Sequence, residues 1–298
     1  MDWRQFVMNL ESLSPESVEA IFKRHGALSV SLSDAADLPV LEPAPGETPL
    51  WNDTCMTGLF SADADLQVLQ DDLLQSLSLE RLPPHRIESL ADRAWEREWL
   101  KDFRPMRFGK RLWICPGDMN ADADDAVIVR LDPGLAFGTG THPTTALCLE
   151  WLDGLDLDGR TMLDYGCGSG ILAVAALRLG CAAVTAFDID PQAITATRQN
   201  AARNHVEHAI TSAENPASIG GQFDIVVANI LVAPLIELAA SIANRVRAGG
   251  MLALSGILSQ QVEEVLGAYD AWIDFEKPAC AEQGGQTWVR LTGVRGKG

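Results

Sequence analysis

Two glycine-bearing runs carry residue types that can do chemistry. "LDPGLAFGTGTHPTT" (131–145) joins glycines spaced like a phosphate-cradling loop to a histidine and several threonine hydroxyls. "DYGCGSG" (164–170) sets Gly166, Gly168 and Gly170 directly behind an acid, Asp164. A dinucleotide fingerprint reads G-x-G-x-x-G; here the third glycine arrives one residue early. A pyrophosphate rests on a helix N-terminus, and Asp164 would repel it. The acid favours a ligand that carries a positive amino group. A tight turn needing positive φ accounts for one glycine, and leaves two more and an aspartate unexplained.

Downstream, "FDIDP" ends a strand at Asp188, whose carboxylate can accept hydrogen bonds from two ribose hydroxyls. Asp190, before Pro191, reads as a helix N-cap. A ribose and an amino group without a phosphate describe S-adenosyl-L-methionine. Neither run holds the G-K-[ST] of a phosphate loop, so nucleoside triphosphate hydrolysis is not expected. Other tempting groups read as structural. His142 has no second histidine near it in sequence and suits the start of a helix. His205 and His208 form a bare H-x-x-H, short of a zinc ligand set. The acidic stretch "GDMNADADDA" (118–127) lacks the glycine and terminal glutamate of a calcium loop, and reads as a solvated hairpin turn. No metal is expected.

These residues need a frame. From residue 160 onward, strand-like and helix-like segments alternate: "TMLDY", "GILAVAALRLG", "AAVTAFDI", "PQAITATRQNAARN", "FDIVVANI", "APLIELAASIANRV", "GGMLALSGI" and "SQQVEEVLGAY". That order predicts a doubly wound α/β domain with a mostly parallel sheet, whose ligands bind at the carboxyl ends of the strands. The tail offers two strands around "EQGGQ", a closing hairpin. Residues 1–90 read β-α-β-β-α-β, the ferredoxin-like arrangement, with Ser14 as N-cap, Pro15 opening the helix and Gly26 stopping it. Between the two, 91–126 reads as a linker: a charged helix, "ADRAWEREWLKDFRP", then the hairpin. The larger domain spans 127–298.

The 298 residues carry 41 acids against 23 bases, a net charge of −18. Nucleic-acid affinity comes largely from neutralising phosphates, so direct binding to RNA or DNA is not expected. A basic partner would be steered toward such a chain; acidity that only aids solubility is the other reading. No apolar run approaches the length of a membrane helix. The start, "MDWRQFVMNLESLSPE", has no basic segment followed by an apolar one, so no signal peptide is expected. Six scattered cysteines without a C-x-x-C pair suit reduced thiols in the cytoplasm.

"LDYGCGSGILAVAA" with "DIDPQAI" resembles the class I, Rossmann-like S-adenosylmethionine methyltransferases over about residues 127–298. "LDPGLAFGTGTHPTT" and "VVANILVAPL" narrow the resemblance to the ribosomal protein eleven methyltransferases, PrmA type, along essentially the whole chain. The N-terminal module is matched by its arrangement more than by motif. The resemblance implies that the 131–145 run closes over the methionine end of the cofactor. Phe137 would cover the ligand, Gly138 and Gly140 would let backbone approach it, and Thr145 would donate to the carboxylate. It also implies a substrate, the lysine and terminal amino groups of ribosomal large-subunit protein eleven, held by the small N-terminal domain.

Methyl transfer from a sulfonium to an amine is an in-line displacement in which the protein mainly supplies proximity and alignment. The nucleophile must be a neutral amine, whereas a free lysine has a pKa of about 10.4. Asn229, ending the strand in "VVANIL", is the candidate to orient the amine lone pair, and could touch the cofactor as well. Amide- and adenine-methylating relatives carry N-P-P-Y there. Ile230, Leu231 and Val232 stand in its place, which argues against planar substrates. A small-molecule N-methyltransferase and a non-catalytic, cofactor-binding partner of the ribosomal protein are the rival readings. The first would not need residues 1–90; Asp164, Asp188 and Asn229 weigh against the second.

Overall fold

A computed structural model of the chain describes residues 3–34, 54–90, 104–121, 123, 125–131 and 140–296. The chain divides into two compact units, residues 1–98 and 99–298. The charged helix expected over 91–105 falls almost wholly outside the described residues.

The first unit runs β1 (Trp3–Asn9), α1 (Pro15–Arg24), β2 (Ser29–Asp34), β3 (Thr54–Ser61), α2 (Leu66–Ser76) and β4 (His85–Leu90). Its strands pair antiparallel in the order β2-β3-β1-β4, the ferredoxin-like arrangement. The start of α1 is set locally: Ser14 Oγ accepts from the Ser17 amide at 3.3 Å, and Pro15 follows. Gly26, at φ +82, ends it. Alternate residues of β1 and β3, Phe6, Met8, Met56 and Phe60, meet Val18 and Phe22 of α1 and Leu69 and Leu73 of α2 in one core. Gly58 lets this happen, because a Cβ there would lie 2.6 Å from the Phe22 ring.

The second unit begins with a small sheet of β5 (Met106–Phe108), β6 (Leu112–Pro116) and β7 (Val127–Leu131). The hairpin expected between β6 and β7 is not formed. Those strands run parallel, from Leu112 beside Val127 to Pro116 beside Leu131. The hairpin lies one step earlier, between β5 and β6, where Gly109 takes φ +69. The ten positions between Pro116 and Val127 are more than a tight hairpin loop needs, and a parallel pair requires such a longer connection.

The large sheet follows: α3 (Pro143–Gly154), β8 (Thr161–Tyr165), α4 (Ile171–Arg178), β9 (Ala183–Phe187), α5 (Pro191–Arg203), β10 (Ile210–Ala213), β11 (Phe223–Asn229), α6 (Val232–Glu237), α7 (Ala239–Ala243), β12 (Val246–Leu258), α8 (Val262–Tyr269), β13 (Ile273–Phe275), β14 (Ala279–Gln283) and β15 (Gln286–Arg295). Its strand order is β10-β9-β8-β11-β12-β15-β13, with β14 on β15. The strands from β10 to β12 are parallel, and β15 is antiparallel to each of its neighbours. Winding outward from β8 to β10 and then returning to β11 makes β8 and β11 the switch point of the sheet.

Both faces are covered, so the central strands are apolar throughout. Met162, Ile225 and Val227 pack under α3, α4 and α5, together with Leu112, Ile114 and Val129 of the small sheet. Leu163, Val226 and Ala228 face α6, α7 and α8. By that alternation Asp164 and Asn229 point to the α3–α4 side. Among the described residues, no helix is long and apolar enough to cross a membrane.

Candidate active site

Three neighbouring strands end in polar groups at the switch point. Asp164 of β8 lies beside Ala186 of β9 and Val227 of β11. Asp188 and Asn229 each follow two residues beyond those partners.

Asp164 is fully buried. Its Oδ2 accepts from the Ala173 amide at 3.1 Å, inside the first turn of α4. Its Oδ1 is buried and has no hydrogen-bond partner among the described residues. Burial pushes its pKa up to about 7, opposed by the Ala173 amide and reinforced by the charge of Asp188. An uncompensated carboxylate oxygen in the interior is expensive, and it sits where a cationic group would relieve it.

The glycine loop wraps this acid. Gly166 takes φ +83, and a Cβ there would overlap Ile230 Cγ2. Gly170 takes φ +77 at the start of α4, where a Cβ would lie 2.7 Å from Thr197 Oγ1. Close approach, as well as backbone conformation, therefore demands glycine. Two side chains of α5 fix the loop from behind: Thr197 donates to the Gly168 carbonyl at 3.1 Å, and Asn200 Nδ2 to the Ser169 carbonyl at 2.8 Å.

Asp188, half-buried, receives the Gly168 amide on Oδ2 at 2.9 Å and the Asp190 amide on Oδ1 at 3.0 Å. Each oxygen keeps a lone pair for a further donor. Asp190 caps α5 through the Gln192 amide at 2.8 Å. Ile189 between them is 80% exposed, an apolar surface at the mouth of the loop.

On the other flank Asn229 Nδ2 donates to Thr145 Oγ1 at 3.2 Å. Thr145 is buried in the first turn of α3. His142 caps that helix, accepting from the Thr144 amide on Nδ1 at 3.4 Å, with its ring edge-on to Trp288 at 4.6 Å. Burial holds the imidazole below its ordinary pKa. His142 is thus a helix-starting residue. Asn229 leads into Ile230, whose carbonyl a Cβ at Gly256 (φ +90) would strike.

Phe137 and Gly138 lie outside the described residues; Gly140, at φ +89, is described. Sequence reasoning missed Thr197, Asn200, Gly256 and Asn204. The last donates to the Arg130 carbonyl and accepts the Arg130 amide, both at 2.7 Å, tying the end of β7 to α5. A helix of small and polar residues, "ATRQNAARN", was the only trace of that role. Among the described residues, no three His, Cys, Asp or Glu side chains cluster as a metal site, and all six cysteines are free thiols.

A parallel sheet in this order, with antiparallel β15 inserted beside β12 and an acid-and-glycine loop at the switch point, defines a class I methyltransferase fold. Comparison with known proteins narrows the class. Residues 2–296 match the family described as ribosomal protein L11 methyltransferase (PrmA). A protein of that name from Shewanella woodyi is 49% identical over 298 residues, 99% of this chain and all of the relative. The one from Methylococcus capsulatus is 51% identical over 294 residues, 98% and 99% of the two chains. The crystal structure of ribosomal protein L11 methylase from Lactobacillus delbrueckii subsp. bulgaricus superposes with a TM-score of 0.59 at 32% identity, covering 65% of this chain and all of that one. With nearly its whole length matched, the chain belongs to the ribosomal protein L11 methyltransferase family.

Proposed function

We propose that the protein transfers methyl groups from S-adenosyl-L-methionine to lysine and terminal amino groups of ribosomal protein L11. The observation that carries the cofactor half of this reading is the buried Asp164 Oδ1, which lacks a partner among the described residues. A dinucleotide would bring a phosphate to that point; S-adenosylmethionine brings an ammonium. Asp188 has one acceptor site free on each oxygen for the ribose hydroxyls, and Ile189 offers an apolar face to the adenine. Thr145 accepts from Asn229, so its own hydroxyl hydrogen remains available for the methionine carboxylate. The bound cofactor supplies an activated methyl group on a positive sulfur.

The protein's part is alignment and exclusion of water. With Nδ2 of Asn229 held by Thr145, its Oδ1 is the acceptor left for an amine N–H, and that bond turns the nitrogen lone pair toward the methyl. Desolvation between the strand ends lowers the amine's pKa and raises the neutral fraction. Residues 1–90, which carry none of these groups, choose the protein substrate, and the net charge of −18 suits a basic one. The free thiols and these roles fit the cytoplasm. Incubating the protein with radiolabelled cofactor and the separated ribosomal proteins tests the reading: label in L11 supports it, and label confined to any other protein or small amine contradicts it.

A further inference from the structure

Leu231 is placed against its own local interests. It occupies the N-cap of α6, where no side-chain hydrogen bond reaches the first helical amides, although Ser, Thr, Asn or Asp would supply one. It is 60% exposed, so it adds little to the core. Its neighbours are committed elsewhere: Ile230 fills the space left by Gly166, and Val232 is buried. A lone exposed leucine needs no explanation, but the distribution here does. Among the described residues of the second unit the large exposed apolar side chains are Met119, Ile189, Leu231 and Val294. Two of those four lie just beyond the strand ends that carry the site, Ile189 next to Asp188 and Leu231 two residues after Asn229, one on each side of Asp164 in the sheet.

Ile189 stands on the Asp188 side and Leu231 on the Asn229 side. Resting on the amine-methylating function above, we propose that Leu231 is the apolar wall for the aliphatic stem of the substrate lysine, beside the amide that meets its nitrogen. A lysine presents four methylenes to such a wall. A terminal α-amino group presents none in the same place. Leu231 therefore sets the preference for lysine over terminal amines and excludes water from the lysine stem as its amine reaches Asn229.

The test compares wild type with Leu231→Ser and Leu231→Met, each as the full chain, on purified L11, with methylation resolved by peptide mass spectrometry. Leu231→Ser supplies the missing cap, so its Tm is expected to equal or exceed that of wild type. Cofactor affinity should be unchanged. KM for L11 should rise, and the ratio of lysine to terminal-amine methylation should fall, by about tenfold. Leu231→Met should keep the wild-type ratio. A wild-type ratio in Leu231→Ser, or an equal loss at both amine classes, would overturn the assignment. Wild type that leaves L11 unmodified would instead count against the function on which it rests.

Discussion

Asn229 Nδ2 donates to Thr145 Oγ1 at 3.2 Å, joining the carboxyl end of β11 to the first turn of α3. The two residues are far apart in sequence, and the bond fixes both. It fixes which end of the Asn229 amide faces Thr145, and it leaves the threonine hydroxyl to donate elsewhere.

Replacing Asn229 by Ala removes the acceptor that orients the amine. The expected result is a fall in kcat of about ten- to a hundredfold, with cofactor affinity reduced much less. Steady-state kinetics beside titration calorimetry separates the two. A loss confined to cofactor affinity would remove Asn229 from the chemistry.

Thr145→Val tests the other partner. It is nearly isosteric, but it leaves the Asn229 Nδ2 without its acceptor and deletes the donor toward the cofactor carboxylate. A stability loss of about 1–3 kcal/mol is expected, with weaker cofactor binding. Unchanged binding in a folded variant would place the carboxylate elsewhere.

Asp188→Ala leaves the Gly168 and Asp190 amides and two ribose hydroxyls unpaired. Cofactor binding should weaken by about 1–3 kcal/mol, measured by calorimetry. Undiminished affinity in the folded variant would sink the ribose assignment.

Asp164 makes a pH prediction with a definite sign. Its folded pKa is raised to about 7 by burial, so its contribution to stability is complete below the ordinary carboxylate range and is lost as pH rises through about 7. Asp164→Asn should therefore raise Tm at pH 8 and leave it near wild type at pH 4, while weakening cofactor binding at pH 8 and changing it little at pH 4, where the wild-type acid is already neutral. In wild type, the carboxylate needed for the cofactor ammonium forms over the same interval, so affinity should increase from pH 6 to pH 8. A Tm for Asp164→Asn below wild type at pH 8 would contradict the account of this acid.

The placement of the strand-end acids and Asn229 was legible because each closes an apolar run, and a polar residue there falls at the carboxyl edge of the parallel sheet. The N-terminal order was legible because Ser14, Pro15 and Gly26 punctuate alternating segments. β10 was not: "ITSA" is short, half polar and at the sheet's edge, so it carries no clear period. The parallel pairing of β6 and β7 was missed because an acidic, loop-forming stretch reads the same whether it reverses the chain or carries it back. Thr197, Asn200 and Asn204 act on backbone groups 29, 31 and 74 residues away, which no local pattern encodes. The fit of Ile230 between Gly166 and Gly256 is likewise a relation among three distant segments.

Transfer of methyl groups to amines of L11 is the reaction proposed for this site. Peptide-resolved mass spectrometry of purified L11, after incubation with the protein and S-adenosylmethionine, tests it most directly. Methyl groups should accumulate on lysine and terminal amines with wild type, and at a rate at least tenfold lower with Asn229→Ala. L11 left unmodified by a wild-type protein that binds the cofactor would contradict the proposed reaction.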